Sequence, residues 1–161
     1  MGETYLFKKQ YDQATAEAER AIALDPNSAV GYWGLAEIFD FSGKPAEAVG
    51  LAEKAMRLDP RNRDFYLFHE GWAYTQMGRY AEAIPVLKRH LARYPNYVGD
   101  HLLLVVDYTE LGREDEARAE AAEVLWISPD YSVDRWMQHS PQKDQAFLKR
   151  LIADMRKAGL K

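Results

Sequence analysis

Between residues 29 and 41 the apolar side chains fall at Tyr32, Leu35, Ala36 and Phe39, in steps of three and four. That spacing predicts an amphipathic helix with one buried stripe. Gly43 follows, a residue free to take positive φ and end the helix. Pro45 suits the first position of a second helix, where a missing N–H is not needed, and "DP" stops that helix after residue 58. The same phrase returns twice. Helices are predicted at 64–77 and 80–94 around Gly78, and at 98–111 and 114–127 around Gly112. Pro26, Pro60, Pro95 and Pro129 stand 34, 35 and 34 residues apart, and Ala14, Ala48, Ala83 and Ala117 keep the same step. The chain is therefore an internal repeat of helix, tight turn and helix, with one extra residue just after Pro60.

The small residues have a packing role. Ala36 and Gly71 in first helices, and Ala48, Ala83 and Ala117 in second helices, let paired helices approach closely, whereas Val105 implies a wider crossing in the last unit. Pro85 lies past the first turn of its helix and is expected to remove one hydrogen bond and kink it. Beyond residue 130 the phase is lost. Ser132 is a cap for a short helix carrying Val133, Trp136 and Met137, and Ser140-Pro141 reads as the next helix start. Phe147, Leu148, Leu151, Ile152 and Met155 form one apolar stripe, ended by Gly159 with Leu160 folding back. This last helix is expected to cap the final repeat.

Composition narrows the function. The 161 residues carry a net charge of −4 and no cysteine. A general nucleic-acid binder usually has a basic excess, and disulfides and thiolate metal sites need cysteine. No apolar run approaches the ~20 residues of a membrane span, and the N-terminus has no secretory apolar core. Leu6 stands where an N-myristoylation signal wants Ser or Thr. The expected location is cytoplasmic. From Pro141 onward there are six Lys or Arg against two Asp, so the rest of the chain is at −8. Those cations either help to dock the tail or are simply solvated.

The period and its marker residues resemble the tetratricopeptide repeat (TPR). The second unit has Trp33, Leu35, Ala36, Phe39, Gly43, Ala48, Ala55 and Pro60 at motif positions; the third has Leu67, Gly71, Tyr74, Gly78, Tyr80, Ala83 and Pro95. The fourth keeps Leu104, Tyr108, Gly112, Ala117 and Pro129, and the first Gly2, Tyr5, Tyr11, Ala14, Ala21 and Pro26. Lys9 replaces the turn glycine of the first unit, and His90 the late alanine of the third. The resemblance implies an all-α fold, a right-handed α-solenoid of TPR helix-turn-helix repeats with a C-terminal capping helix. It assigns residues 1–130 to the array, with a truncated first repeat and full repeats at about 29–62, 64–97 and 98–130, and leaves 131–161 as tail. The short first helix implies that the chain is a piece of a longer protein, or that its open end pairs with a second copy. The tail, through Ser132, Arg135, Trp136, Pro141, Lys143, Asp144 and "MRKAGL", resembles TPR regions appended to bacterial nucleotide-cyclase-type signalling proteins.

Catalytic signatures are missing. "HEGWA" opens like a zinc-protease helix, but Ala73 stands where the second His is needed. His69, His90, His101 and His139 have no ligand spacing, which leaves packing or surface roles, and the run Glu114-Asp115-Glu116 opens a helix, where it complements the dipole. No cofactor, metal or enzymatic activity is expected. In TPR proteins the first helices line a concave groove. Here they offer Val30, Trp33, Glu37 and Asp40, then Phe65, Phe68, Trp72 and Gln76, then Leu102, Val106 and Glu110. The resemblance thus implies a groove for a peptide or partner domain with apolar anchors and basic flanks. The other reading is that Trp33, Phe68 and Trp72 pack between units or lie under the tail. The carboxylate-clamping mode of chaperone-binding TPR proteins lacks its cations: the corresponding places hold Gly34, Phe65, His69, Gly99 and Leu103. Against the interaction module stand a self-associating module and, further off, a helical enzyme or small-molecule binder. No nucleic acid or membrane partner is expected.

Overall fold

Four tight turns set the architecture. The computed structural model describes residues 2–161, with side chains from Tyr5 onward; Gly2 of the first-unit motif lies outside the residues whose burial is described. Helices α1 (Gly2–Phe7) and α2 (Tyr11–Leu24) form the first pair, α3 (Ala29–Ser42) and α4 (Pro45–Leu58) the second. Helices α5 (Leu67–Gln76) and α6 (Tyr80–Arg93) form the third, α7 (Val98–Glu110) and α8 (Glu114–Ile127) the fourth. Then come α9 (Val133–His139) and α10 (Gln145–Lys157). There is no strand among the described residues. Each pair packs internally and against the next, and α1, α3, α5 and α7 also touch one another in a row. The result is an α-solenoid.

Gly43, Gly78 and Gly112 adopt φ of 85°, 73° and 71°. In each turn the following N–H reaches back to close the helix: Lys44 to Phe39 O, Arg79 to Tyr74 O and Arg113 to Tyr108 O, at 2.8, 2.9 and 2.8 Å. Lys9 takes the same left-handed conformation at φ 58°, and Gln10 N–H donates to Tyr5 O at 2.9 Å. The turn survives without glycine, at the strain a side chain brings to that region. A second regularity accompanies it. The cation after each glycine lies over the aromatic ring of the helix it has left: Lys44 over Phe39, Arg79 over Tyr74, Arg113 over Tyr108.

The small residues do set the crossings. Ala14, Ala36, Ala48, Ala83 and Ala117 are buried. A Cβ on Gly71 would stand 2.4 Å from Leu87 Cδ2, so α5 and α6 approach too closely there for any side chain. Two expectations need correction. Residues 60–66 form a 3₁₀ stretch, and α5 begins at Leu67, not at residue 64. The extra residue after Pro60 is absorbed there: Asn62 leaves helical dihedrals, and Asp59 accepts from Asn62 N–H and from Tyr66 OH. Helix α6 spans Tyr80 to Arg93 with Pro85 inside it, where the missing N–H costs one hydrogen bond. Ser140-Pro141 does not start a helix. Ser140 closes α9, and α10 starts at Gln145, where Asp144 accepts from the N–H groups of Ala146 and Phe147 at 3.0 Å.

The tail does more than cap the last repeat. Helix α10 packs on α7, and Phe147 reaches Trp72 of α5 with ring centroids 6.1 Å apart. Its apolar stripe is wholly buried, joined by Leu160 after Gly159 at φ 106°. Val133 N–H donates to Lys161 O, tying the chain end to α9. Residues 140–143 then run extended toward the first units. Tyr11 OH donates to Pro141 O at 2.8 Å, Lys143 N–H to Phe41 O at 2.8 Å, and Gln142 Nε2 to Asp40 O at 3.4 Å. Tail cations meet array acids at Arg150–Glu110 and Lys157–Glu114, half-exposed pairs worth ~0.2–1 kcal/mol each.

Candidate partner-binding groove

Helices α3, α5 and α7 touch one another in a row, and the residues expected to line a groove along them divide into three groups. Asp40 and Val106, expected in the groove lining, are fully buried and present nothing to a partner. Val106 belongs to the main core, which α10 closes from the concave side. Asp40 lies beneath the tail strap, with His69 Nδ1 2.8 Å from its Oδ2. Burial pushes the Asp40 carboxyl well up, helped by the nearby Glu37, and pushes His69 down to about 3. Both shifts disfavour the charged forms, as burial of a carboxylic acid and an imidazole together requires. His69, at one of the clamp positions, supplies no positive charge.

The second group stays outside. Val30 is 61% exposed and Phe65, in the 3₁₀ stretch, 38%. Phe65 meets Trp33 in a tilted contact at 5.2 Å and Tyr66 edge to face at 5.3 Å. Gln76 is half-buried, its Oε1 buried without a partner among the described residues, and Glu110 pairs with Arg150.

The third group meets around a cavity of about 320 Å³: Trp33, Glu37, Phe68, Trp72 and Leu102 from the expected set. His69, Tyr97 and Gly99 complete its array side, and Trp136, Ser140, Pro141 and Leu151 of the tail form its opposite wall. Phe68 and Trp72 are largely covered, so the reading that placed them under the tail describes them better than an open groove does. The rings form a continuous set: Trp33 to His69 5.2 Å, His69 to Phe68 5.1 Å, Phe68 to Tyr97 4.8 Å, Phe68 to Trp72 6.0 Å, and Trp72 to Phe41 5.0 Å. Edge-to-face geometry is common among them, an arrangement aromatic quadrupoles favour. Burial, with Asp100 and Glu37 nearby, pushes the Tyr97 hydroxyl up to about 12, so it stays protonated.

Sequence reasoning missed Tyr97 and which tail residues, Trp136, Ser140, Pro141 and Leu151, form the wall; it offered the tail as a cover and named His69 and Gly99 only as clamp positions without cations. One signal was available: His69 lies on the same helical face as Phe65 and Trp72, by steps of four and three. Three of the four histidines prove to be stitches between neighbouring helices, while His139 bonds Arg135 O within α9. His69 joins α5 to α3, His90 of α6 meets Asp100 of α7 at 2.5 Å, and His101 of α7 meets Glu120 of α8 at 2.6 Å. His101 also reaches Pro95 O at 3.0 Å through Nε2. With an acceptor at each ring nitrogen it is held as the imidazolium, and the Glu120 hydrogen bond raises its pKa. Among the described residues no group of three or more His, Cys, Asp or Glu is placed to hold a metal ion, and no helix is long and apolar enough to cross a membrane.

The tetratricopeptide repeat family matches the chain at residues 1–63 and 41–98. No curated protein sequence matches it. Among solved structures, one described as MamA aligns over 98% of this chain and 92% of its own, at 21% identity and a TM-score of 0.68. PilF of Pseudomonas aeruginosa aligns over 99% and 74%, at 20% identity and a TM-score of 0.70. YrrB, described as a TPR protein with an unusual peptide-binding site, aligns over 98% and 80%, at 20% identity and a TM-score of 0.61. At these identities the likeness is one of fold.

Proposed function

Because the chain belongs to the tetratricopeptide repeat family, we propose that it is a protein-interaction module whose concave face receives an extended peptide segment. One observation carries this reading. The concave side already holds such a segment, the chain's own residues 140–143, fixed by backbone and side-chain hydrogen bonds to α2 and α3. A partner peptide enters beside that strap, where Val30, Trp33 and Phe65 remain accessible. Apolar anchors suit those side chains, and basic flanks suit Glu37 nearby.

The test is a library of extended peptides titrated against the full chain by fluorescence polarisation. Trp33→Ala and Phe65→Ala are expected to weaken binding about 10-fold or more, the loss of a buried aromatic anchor. Trp126→Ala, on a 73% exposed residue of α8, serves as the distant control. Binding that survives both groove changes, or falls only with the control, overturns the reading.

A second reading has its own observation. Leu24 at the end of α2 is 83% exposed, an apolar side chain of the N-terminal pair that a second copy would cover. Light scattering over a concentration series decides it: a mass that stays at one chain removes it. A place in the C-terminal part of a bacterial cyclase-type signalling protein rests on the tail residues Ser132, Arg135, Trp136, Pro141, Lys143, Asp144 and the closing MRKAGL alone, and a cytoplasmic location on the composition.

A further inference from the structure

The cavity beneath the strap differs in kind from the open groove. Its floor is covered and its rim is not. Phe68, Trp72, Leu102 and Leu151 are 9% exposed or less, whereas Phe7 at 62% and Tyr97 at 42% stand at the mouth. An apolar cavity of about 150 Å³ accepts a benzene ring. At about 320 Å³ this one suits two fused rings and not a run of peptide. Trp33, Phe41, Phe68, Trp72, Tyr97 and Trp136 supply its aromatic walls, drawn from α3, α5, α9 and the turn into α7. Such walls meet a flat aromatic guest by offset or edge contacts, the arrangements ring quadrupoles favour. Gly99 keeps the space open, since a Cβ there would stand 2.9 Å from Phe68 Cε2 and 2.8 Å from Tyr97 Cε1.

Charge and hydrogen bonding narrow the guest further. Among the described residues no Lys or Arg lines the cavity, so an anion finds neither and meets Glu37. Glu37 already has a partner, so nothing there calls for a cation. Burial keeps His69 neutral and the Tyr97 hydroxyl protonated. One polar atom is left over. His69 is 2% exposed and meets Asp40 through Nδ1, while its Nε2 makes no hydrogen bond among the described residues. That nitrogen is not sealed off as the indole nitrogens of Trp33 and Trp72 are. In so covered a residue, the open nitrogen faces the cavity that the residue lines. A hydroxyl both donates and accepts, so it meets Nε2 in either tautomer. A wholly apolar guest fills the same space and leaves Nε2 unmet. We propose that this cavity binds a free, neutral aromatic molecule of about two fused rings, with one hydroxyl directed at His69 Nε2. The site does not rest on the peptide reading, because a free molecule is sufficient to fill it.

The experiment titrates the full chain, by calorimetry and ligand-observed NMR, with one ring system in four forms. The probes are 2-naphthol, naphthalene, 2-naphthoate and 2-naphthylmethylammonium: a hydroxyl, no substituent, an anion and a cation. 2-Naphthol is expected to bind with a Kd of about 0.1 mM or tighter. It is expected to exceed naphthalene about 5-fold, the worth of one hydrogen bond, and either ion about 10-fold or more. His69→Asn keeps a polar atom where Nδ1 meets Asp40 and removes Nε2. It is expected to bring 2-naphthol down to the affinity of naphthalene. Gly99→Ala is expected to weaken both neutral probes about 10-fold or more by crowding Phe68 and Tyr97, with unchanged circular dichroism as the folding control. No saturation by 2-naphthol, which would leave the cavity to a partner's side chain, overturns the proposal. So does naphthalene or an ion that binds as tightly as 2-naphthol, or a 2-naphthol affinity unchanged in both variants. The peptide-library result for the groove stands apart from either outcome.

Discussion

Helices α2 and α7 are nearly equal in length and belong to the first and fourth pairs of one repeat array, yet they live in different surroundings. In α2 only Ala14 is buried, whereas α7 buries ten consecutive residues, 100–109, including Asp100, His101, Asp107 and Thr109. The main neighbours of α2 are α1 and α3; those of α7 are α5, α6, α8 and α10. Burial in a solenoid thus follows place in the stack, and an added layer on the concave side turns a one-sided helix into a central one. Polar groups caught in that helix must find partners within the protein. Asp100 and His101 do so through His90, Glu120 and Pro95, while Asp107 has the Thr75 hydroxyl near it and no well-formed hydrogen bond at either carboxylate oxygen.

The contrast can be broken most directly with leucines. Leu151→Ala, at a fully buried position of α10, is expected to destabilise by ~3 kcal/mol. Leu24→Ala at the end of α2 is expected to stay within ~0.5 kcal/mol. Urea denaturation measures both, and equal losses would remove the distinction.

Glycines sharpen it next. Gly71→Ala drives a Cβ into Leu87 and is expected to destabilise by ~1–3 kcal/mol. Gly34→Ala in α3 meets nothing within 4 Å and is expected to stabilise by ~0.5–1 kcal/mol, because alanine loses less backbone entropy in a helix. Thermal melts that rank the two the other way would contradict the close α5–α6 approach.

The buried polar groups of α7 give the third test. Burial raises Asp107 to about 8 from the ordinary 3.8, so the unfolded chain ionises first as pH rises and the folded state loses stability up to about pH 8. His101 is raised above 6.5, so its contribution is complete below that pH and is lost as pH climbs through the folded value. Both act in the same direction. Stability is expected to fall between pH 5 and 9, and Asp107→Asn to recover on the order of 1–2 kcal/mol near pH 8 and to flatten the profile. A stability that rises across this range would show that α7 is not shielded as described.

Much of the fold was legible because its signals are local. Pro26, Pro60, Pro95 and Pro129 mark helix ends through their own missing N–H, and Gly43, Gly78 and Gly112 mark turns through their own freedom at positive φ. The candidate site was legible in part. Trp33, Glu37, Phe68, Trp72 and Leu102 were found by projecting first helices, and they do meet at one cavity. Asp40 went astray because a carboxylate beside Glu37 looks solvated until His69, twenty-nine positions away, is known to face it.

Period, helix type, turn positions and the small residues at the crossings were thus determined by the sequence alone, since each depends on dihedral preferences and spacings within a few residues. The stripe from Phe147 to Met155 announced a helix with something to bury. That it buries against α7 and Trp72, and that residues 140–143 return to Tyr11, Asp40 and Phe41, was decided only in three dimensions. Those bonds join positions a hundred or more residues apart, and the burial that drives them is non-directional: an apolar face specifies that it must be covered, and the shape of the assembled array specifies by what.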